Sequence, residues 1–412
     1  MVKVIVGLQL GNEGKDRIIQ REARRAKAIV KCTGGENDEN VVCYNNKQYV
    51  THLLPSSVFQ KGVISILGKD VVLNLQVLLD EITMLQDNGV TITDQNLKIN
   101  PRAKVIMPWH IEMDKILESW YPKKCYVRGI SSCYKEQGES ILVIDLFDRK
   151  SLLGKISKAL KLYRSILPEF VSHLDVEKIC SDYWMWGQKI KPFIENSFEL
   201  LMRMIQKDDS FIILEGASKE GFMCASASTN EICEGAEIAF SMIDEVLGVV
   251  KAYTVKSECG PFPTEISDEN NKILQFEENK YQRGKTFSRC GWLDIVMIRH
   301  KIITNGVTHL AMNGMNAITK LKQVQVCTAY EYKHLITRKT FPPDLERCIP
   351  CYNGPIYPAC SMSKCKRWED IPMRAREYVR KVQSYIDIPI EYIGVGEDNI
   401  RIVRCPKEIT VF

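Results

Sequence analysis

Short runs rich in valine and isoleucine recur along this chain, and segments with apolar residues at helical spacing lie between them. The runs at 2–8, 28–31, 63–67, 211–215, 249–254 and 307–312 read as buried strands. Helical spacing is clearest at 72–86 and 230–247. That alternation predicts an α/β fold around a mostly parallel central sheet. No internal repeat or low-complexity linker divides the 412 residues. The expectation is therefore one large domain over 1–412 with long insertions, its irregular zones lying at 255–290 and 334–366.

Composition excludes several classes of function. With 45% apolar and 26% charged residues, the chain is neither disordered nor collagen-like nor a coiled coil. No window approaches 18 uninterrupted apolar residues, so no membrane span is expected. The apolar opening from Met1 to Gly7 is too short for a secretory signal. A net charge of +5 without a long basic run does not suggest a nucleic-acid partner. Fifteen cysteines without a signal segment read as reduced thiols of the cytosol or nucleus, and the expected location is cytoplasmic.

The first strand runs into Gly11-Asn12-Glu13-Gly14-Lys15, and a helical segment follows from Asp16. Glycines between a strand and a helix let backbone N–H groups approach a phosphate, and a helix N-terminus favours the anion. Gly11, Gly14 and Lys15 are the phosphate-binding candidates. The spacing is not that of a standard P-loop, so a plain tight turn is the competing reading.

In its wider setting this stretch carries a resemblance. The segment from Val4 through Gly7-Leu8-Gln9-Leu10 to Lys15 is similar to the N-terminal signature of adenylosuccinate synthetases. Thr33-Gly34-Gly35-Glu36-Asn37, His52-Leu53-Leu54-Pro55-Ser56 and Leu214-Glu215-Gly216-Ala217 follow in the family's order. So do Lys251-Ala252-Tyr253-Thr254, Gly260-Pro261-Phe262-Pro263-Thr264-Glu265, Cys290-Gly291-Trp292-Leu293-Asp294, Arg367-Trp368-Glu369-Asp370-Ile371-Pro372 and Ile393-Gly394-Val395-Gly396. The resemblance spans the whole chain. It implies a single α/β unit, commonly a homodimer, that joins aspartate to IMP with GTP and Mg²⁺ through a 6-phosphoryl-IMP intermediate. In that chemistry a first-loop aspartate deprotonates IMP and binds Mg²⁺, and a second-loop histidine stabilises the transferring phosphoryl group.

The chain departs from the family pattern at those places. Asn12 stands at the aspartate position and Asn40 at the histidine position, so neither catalytic side chain is intact. An amide is neutral, cannot act as a general base, and is a poorer Mg²⁺ ligand than a carboxylate. Asp16 and Arg17 replace the last two loop positions, and Glu39 replaces the glycine before Asn40. The IMP-gripping stretch reads Cys125-Tyr126-Val127-Arg128-Gly129-Ile130-Ser131-Ser132, and no arginine stands near 137–140 for the contact across a dimer. Ser218 replaces a glutamine, and the aspartate loop retains only Lys285, Thr286, Phe287, Ser288 and Arg289. The guanine-reading stretch is Asn313, Gly314, Met315 and Asn316, without its carboxylate.

The resemblance leaves Asn37, Arg128 and Arg289 as substrate-binding candidates and Gly396 as the nucleotide-base candidate. Four altered sub-sites point to a pseudoenzyme with a binding or regulatory role, as a homodimer or paired with an active paralogue, and with a nucleotide as ligand. No cofactor is expected; Mg²⁺ and GTP enter only if family activity persists. The alternatives are an active GTP-dependent synthetase with an unusual site, and a structural protein that reuses the fold. Cys348, Cys351, Cys360 and Cys365 have a spacing that suits Zn²⁺, but loosely, and free thiols are the reading taken. Glu36, Asp38 and Glu39 read as a solvated acidic loop rather than a metal site. His52, in an apolar setting, reads as a structural hydrogen-bonding residue.

Overall fold

The computed structural model describes residues 1–37, 40–45, 47–120, 127–136, 139–207, 210–217, 226–256, 260–279, 288–356, 361–396 and 401–406. The fold is α/β, and among the described residues ten strands belong to one large, mostly parallel sheet. The chain divides into two compact units.

The first unit comprises Met1–Val4, Glu22–Phe222 and Thr229–Asp244. Its central strand, Ala28–Gly34, is buried along its whole length and pairs in parallel with Ile64–Leu73 and Ile212–Glu215. Ile64–Leu73 also takes Leu97–Ile99 and Lys104–Val105 in parallel. Burial on both faces explains why these strands read as continuous apolar runs rather than alternating ones. The helix Thr229–Ala236 lies directly on the central strand. A Cβ on Gly235 would stand 2.1 Å from the Cys32 carbonyl oxygen, so this approach needs glycine. The helices Leu75–Asp87, Pro108–Trp120, Arg149–Ile166 and Val176–Ile190 share an apolar core that includes Leu78, Trp109, Ile156 and Tyr183.

The second unit comprises Ile5–Arg21, Met223–Ser228 and Glu245–Phe412. Here Glu245–Lys251, His309–Asn313 and Ile390–Gly394 run parallel, with Ile402–Arg404 antiparallel to the last of them. Asp294 starts the helix Ile295–Asn305 by accepting the Met297 N–H at 3.0 Å, and Gly306 ends it at φ 62°. A smaller sheet joins Leu293–Asp294, Val324–Tyr332, Leu335–Thr337 and Ile349–Ile356. Its tightest turn pairs Tyr332 with Leu335 across Lys333 and His334, both left-handed at φ 51° and 63°. Two positive φ values define a primed turn, whose usual occupants are asparagine and glycine.

All six strands expected from sequence are present, with ends moved by a few residues. Two helical expectations are corrected. Residues 72 and 73 belong to the end of a strand, and the helix begins at Leu75 behind its cap Asn74. The stretch 230–247 is α-helical only to Ala236: Glu237 turns left-handed at φ 59°, a single 3-10 turn spans Phe240–Met242, and a strand begins at Glu245. The two irregular zones also carry order, as the helix Glu269–Asn279 and the strand Ile349–Ile356. No helix among the described residues is long and apolar enough to cross a membrane. Eleven described cysteines are free thiols.

Candidate functional site

The second unit carries the first loop. Strand Val2–Gly7 delivers the chain into a turn in which Gly11, Asn12 and Gly14 all have positive φ, at 105°, 56° and 79°. Helix Lys15–Ala23 starts immediately after it. The turn is held from inside by Glu13, which is 2% exposed. Its Oε1 accepts the N–H groups of Gln9 and Gly11 at 3.0 and 3.1 Å, and the Ser226 hydroxyl lies 3.4 Å away. A side chain on Gly7 would collide with this carboxylate, since its Cβ would stand 2.6 Å from Glu13 Oε2.

Further braces fix the same turn. The Gln9 amide accepts the Lys251 N–H at 2.7 Å and donates to the Tyr253 carbonyl at 3.0 Å. Lys301 Nζ donates to the Gln9 carbonyl at 2.9 Å. Asn313 Nδ2 donates to the carbonyls of Glu13 and Gly14 at 2.9 and 3.1 Å. Gly11, Gly14 and Lys15 thus come together at a helix N-terminus, where the leading N–H groups lack intrahelical acceptors. The Gly11 N–H itself is already taken by Glu13. Asn12 is exposed at the turn.

Next to this loop lies Asn313-Gly314-Met315-Asn316. Asn316 is 8% exposed and satisfied by backbone: Nδ2 donates to the Val395 carbonyl, and Oδ1 accepts the Met362 N–H at 3.1 Å. Gly394 leaves room for the Asn313 amide, whose Oδ1 would stand 2.5 Å from any Cβ there. Gly396 ends this segment, two residues beyond the strand Ile390–Gly394. Arg289 is held by its own unit. It forms a forked pair with Glu265, with Nε–Oε1 at 2.8 Å, donates to the Gly260 carbonyl at 2.8 Å, and covers the Phe262 ring.

A buried ionic group lies under the same strand ends. Lys251 Nζ contacts both Glu278 oxygens at 2.7 Å, and the Tyr253 hydroxyl donates to Glu278. Burial and the Glu278 charge push the Tyr253 phenol well up, so it stays a proton donor.

The first unit carries the second loop. Gly34 is left-handed at φ 94° and abuts Ala217. The Tyr134 hydroxyl accepts the Gly34 N–H at 2.8 Å and donates to the Asp70 carbonyl. Asn37 Oδ1 accepts the Gly35 N–H at 3.1 Å, so this candidate caps its own loop. Arg128 Nη1 donates to the Glu36 carbonyl oxygen. Burial pushes the Glu36 carboxyl above the usual carboxylate range, against the opposing pull of Arg128 and of a hydrogen bond from Asn74. Asn40 is 3% exposed, and its Nδ2 donates to the Leu54 carbonyl at 3.2 Å.

Two carboxylates from neighbouring helices occupy backbone sites in this unit. Glu81 of Leu75–Asp87 accepts the N–H groups of His52, Leu53 and Leu54 at 2.5, 3.2 and 2.9 Å. Lys31, 1% exposed, donates to the His52 and Gly35 carbonyls at 2.8 and 3.2 Å. Asp114 accepts the Gly129 N–H at 2.6 Å and the Ser132 hydroxyl at 2.5 Å, at the start of helix Ile130–Lys135. None of these bracing residues was singled out by sequence. Glu81 had a readable signal, because it interrupts the apolar face made by Leu78, Ile82 and Leu85.

Asp38, Glu39, Cys125, Tyr126, Gln137, Gly138, Ser218, Lys285, Thr286, Phe287 and Cys360 lie outside the described residues. Cys348 and Cys365 donate to the carbonyls of Asp344 and Asp370, both at 3.1 Å. Among the described residues no group of three or more His, Cys, Asp or Glu is placed to hold a metal ion. In the described first loop Asn12 offers a neutral amide, a poorer Mg²⁺ ligand than a carboxylate, and the Glu13 carboxylate faces N–H donors.

A strand, a glycine turn and a helix, with further loops at the carboxyl ends of parallel strands, define the class of an open α/β scaffold. The family model for adenylosuccinate synthetase matches residues 4–403. The adenylosuccinate synthetase of Thermoanaerobacter sp. strain X514 is 33% identical over 421 residues, covering 96% of this chain and 97% of its own length. That of Lawsonia intracellularis is 31% identical over 96% of this chain and 97% of its own length. The structure of fully ligated adenylosuccinate synthetase from Plasmodium falciparum shares the fold with a TM-score of 0.88 at 23% identity, covering 98% of this chain and 100% of that one. The chain belongs to the adenylosuccinate synthetase family.

Proposed function

We propose that this chain is a pseudoenzyme of its family, a binding or regulatory protein that holds a nucleotide phosphate at the first loop without forming adenylosuccinate. The observation that carries this reading is the inward use of replaced positions. Asn40 binds the Leu54 carbonyl, and Asn316 binds the backbone of Val395 and Met362. Arg128 and Arg289 are held by Glu36 and Glu265. Asn12 and Asn40 supply neither a general base nor a charged group for the phosphoryl group. Loss of one such group commonly costs about 10²–10⁵ in rate.

The intact turn around Gly11, Gly14 and Lys15 supports retained phosphate binding. We read the partner as a second copy of the chain or an active paralogue, in the cytoplasm, with Mg²⁺ required only if turnover exists. The test measures the thermal midpoint with IMP, GTP and Mg²⁺, singly and together, beside a turnover assay with aspartate. Ligand at about 100 times its dissociation constant stabilises by about 2.7 kcal/mol. A shift without adenylosuccinate is the expected result. Adenylosuccinate formation overturns the reading in favour of an active synthetase, and a folded protein with no shift points to a structural role. Light scattering of the chain alone and mixed with an active synthetase tests the partner.

A further inference from the structure

We propose that the hairpin formed by Val324–Tyr332 and Leu335–Thr337 docks an extended, acidic peptide segment of a partner protein along the outer edge of Leu335–Thr337. This surface lies outside the nucleotide loops, and the proposal does not depend on their function.

Three observations converge on it. The first is an open backbone edge. Glu331 stands opposite Ile336 and Tyr332 opposite Leu335, across a two-residue turn. In such a hairpin the residues flanking the turn exchange hydrogen bonds, and the next pair does not. The Ile336 N–H and C=O therefore point away from Val324–Tyr332. Among the described residues, Leu335–Thr337 pairs with no second strand. An extended peptide can add there by backbone hydrogen bonding.

The second is apolar surface at the same place. Leu335 is 73% exposed and Ile336 52%. Beside them an open cleft of about 300 Å³ is lined by Tyr332, Leu335, Phe341, Pro342 and Pro343. Phe341 forms its wall, fixed by stacking on His300 at 6.3 Å between ring centroids. The cleft is large enough to seat an apolar anchor side chain from the incoming strand.

The third is charge. Lys333, Arg338 and Lys339 are exposed around the cleft, and His334 is fully exposed at the turn. The nearby acids are partly occupied: Glu331 lies 3.9 Å from His334, and Asp344 pairs with Arg347 at 3.3 Å. The rim is thus basic and selects an acidic partner. Flanking cations alone would be ordinary protection of an edge strand against aggregation. Two exposed aliphatic residues between them, next to an apolar cleft, are the opposite of protection. A concave cleft and a directional backbone edge fit an extended peptide better than a flat anionic membrane.

The test uses the full chain and a short fluorescent peptide of alternating glutamate and leucine, followed by anisotropy. Its controls are a lysine–leucine peptide, a backbone N-methylated glutamate–leucine peptide, and vesicles containing phosphatidylserine. Expected are binding of the glutamate peptide, weakening by about tenfold in Arg338→Glu/Lys339→Glu, a comparable loss on N-methylation, and slowed amide exchange at Ile336. Both substituted side chains are exposed, so the variant keeps its fold. Equal binding of the lysine peptide, or insensitivity to both the double variant and N-methylation, overturns the proposal. Tighter binding to the vesicles than to the peptide overturns it in favour of a membrane. Protection of Ile336 by self-association without peptide overturns it in favour of a second copy.

Discussion

The two loops that carry the family's chemistry are both braced by polar side chains, yet the braces act differently in each. In the first loop, Glu13, Gln9 and Asn313 bind backbone N–H and C=O groups and so preserve the turn itself. In the second unit's outlying segments and in the second loop, the candidate site side chains are themselves the braces. Asn40 and Arg128 hold backbone of the second loop's surroundings, just as Asn316 and Arg289 do near the base and aspartate segments. A buried polar group must find a partner wherever it is placed. At Asn40, Arg128, Asn316 and Arg289 the backbone supplies one.

The sharpest way to break the comparison is to remove the brace that serves only framework. Glu81→Ala leaves the three N–H groups of His52–Leu54 without their shared acceptor. We expect a loss of about 4 kcal/mol in denaturant-melt stability. A loss below about 1 kcal/mol would show that water replaces the carboxylate. Glu13→Gln comes next. It keeps the shape but turns a charge-assisted acceptor into a neutral one, at a cost of about 2 kcal/mol. It should also abolish any thermal shift given by GTP, which the Glu81 variant retains at temperatures where it is folded.

Reversion tests the second half of the comparison. Asn12→Asp with Asn40→His should give no adenylosuccinate, because the base, aspartate and IMP segments remain occupied. Asn40→His also gives up the bond to Leu54, at about 1 kcal/mol. Measurable turnover in this double variant would show that those segments open for substrate. The smallest effect is a pH dependence. Burial raises the folded pKa of Glu36 above its unfolded value, so the folded chain binds more protons in the interval between them. Its contribution to stability therefore falls as pH rises through that interval. Glu36→Gln should remove this slope, worth ~0.5 kcal/mol because partial exposure screens it. An unchanged slope in urea melts across the acid range would assign it to another group.

Much of the fold is legible in the sequence because strands buried on both faces must be uninterrupted apolar runs. The six strands stand out for that reason, whereas 230–247 deceives. Its apolar spacing joins a helix to the start of a strand, and the break at Glu237 is a left-handed residue with no glycine to announce it. The helices Arg149–Ile166 and Val176–Ile190 were not singled out, since their apolar faces are narrow and their flanks highly charged. At the site, Asn12 and Asn40 are marked out by the resemblance to the family's loops. What those side chains bind is not, because Asn40 meets Leu54 only after the chain has turned through the hairpin between them. The same holds for Asn313, whose contacts with Glu13 and Gly14 join positions three hundred residues apart in sequence.

The Asn316 clamp bears on how such a chain can evolve. Its Nδ2 donates to the Val395 carbonyl, so an aspartate there would set oxygen against oxygen in a buried place. The amide that suits the present packing thus obstructs the return of the acid. Selection for stability alone would then hold the amide in place, whatever the rest of the site binds.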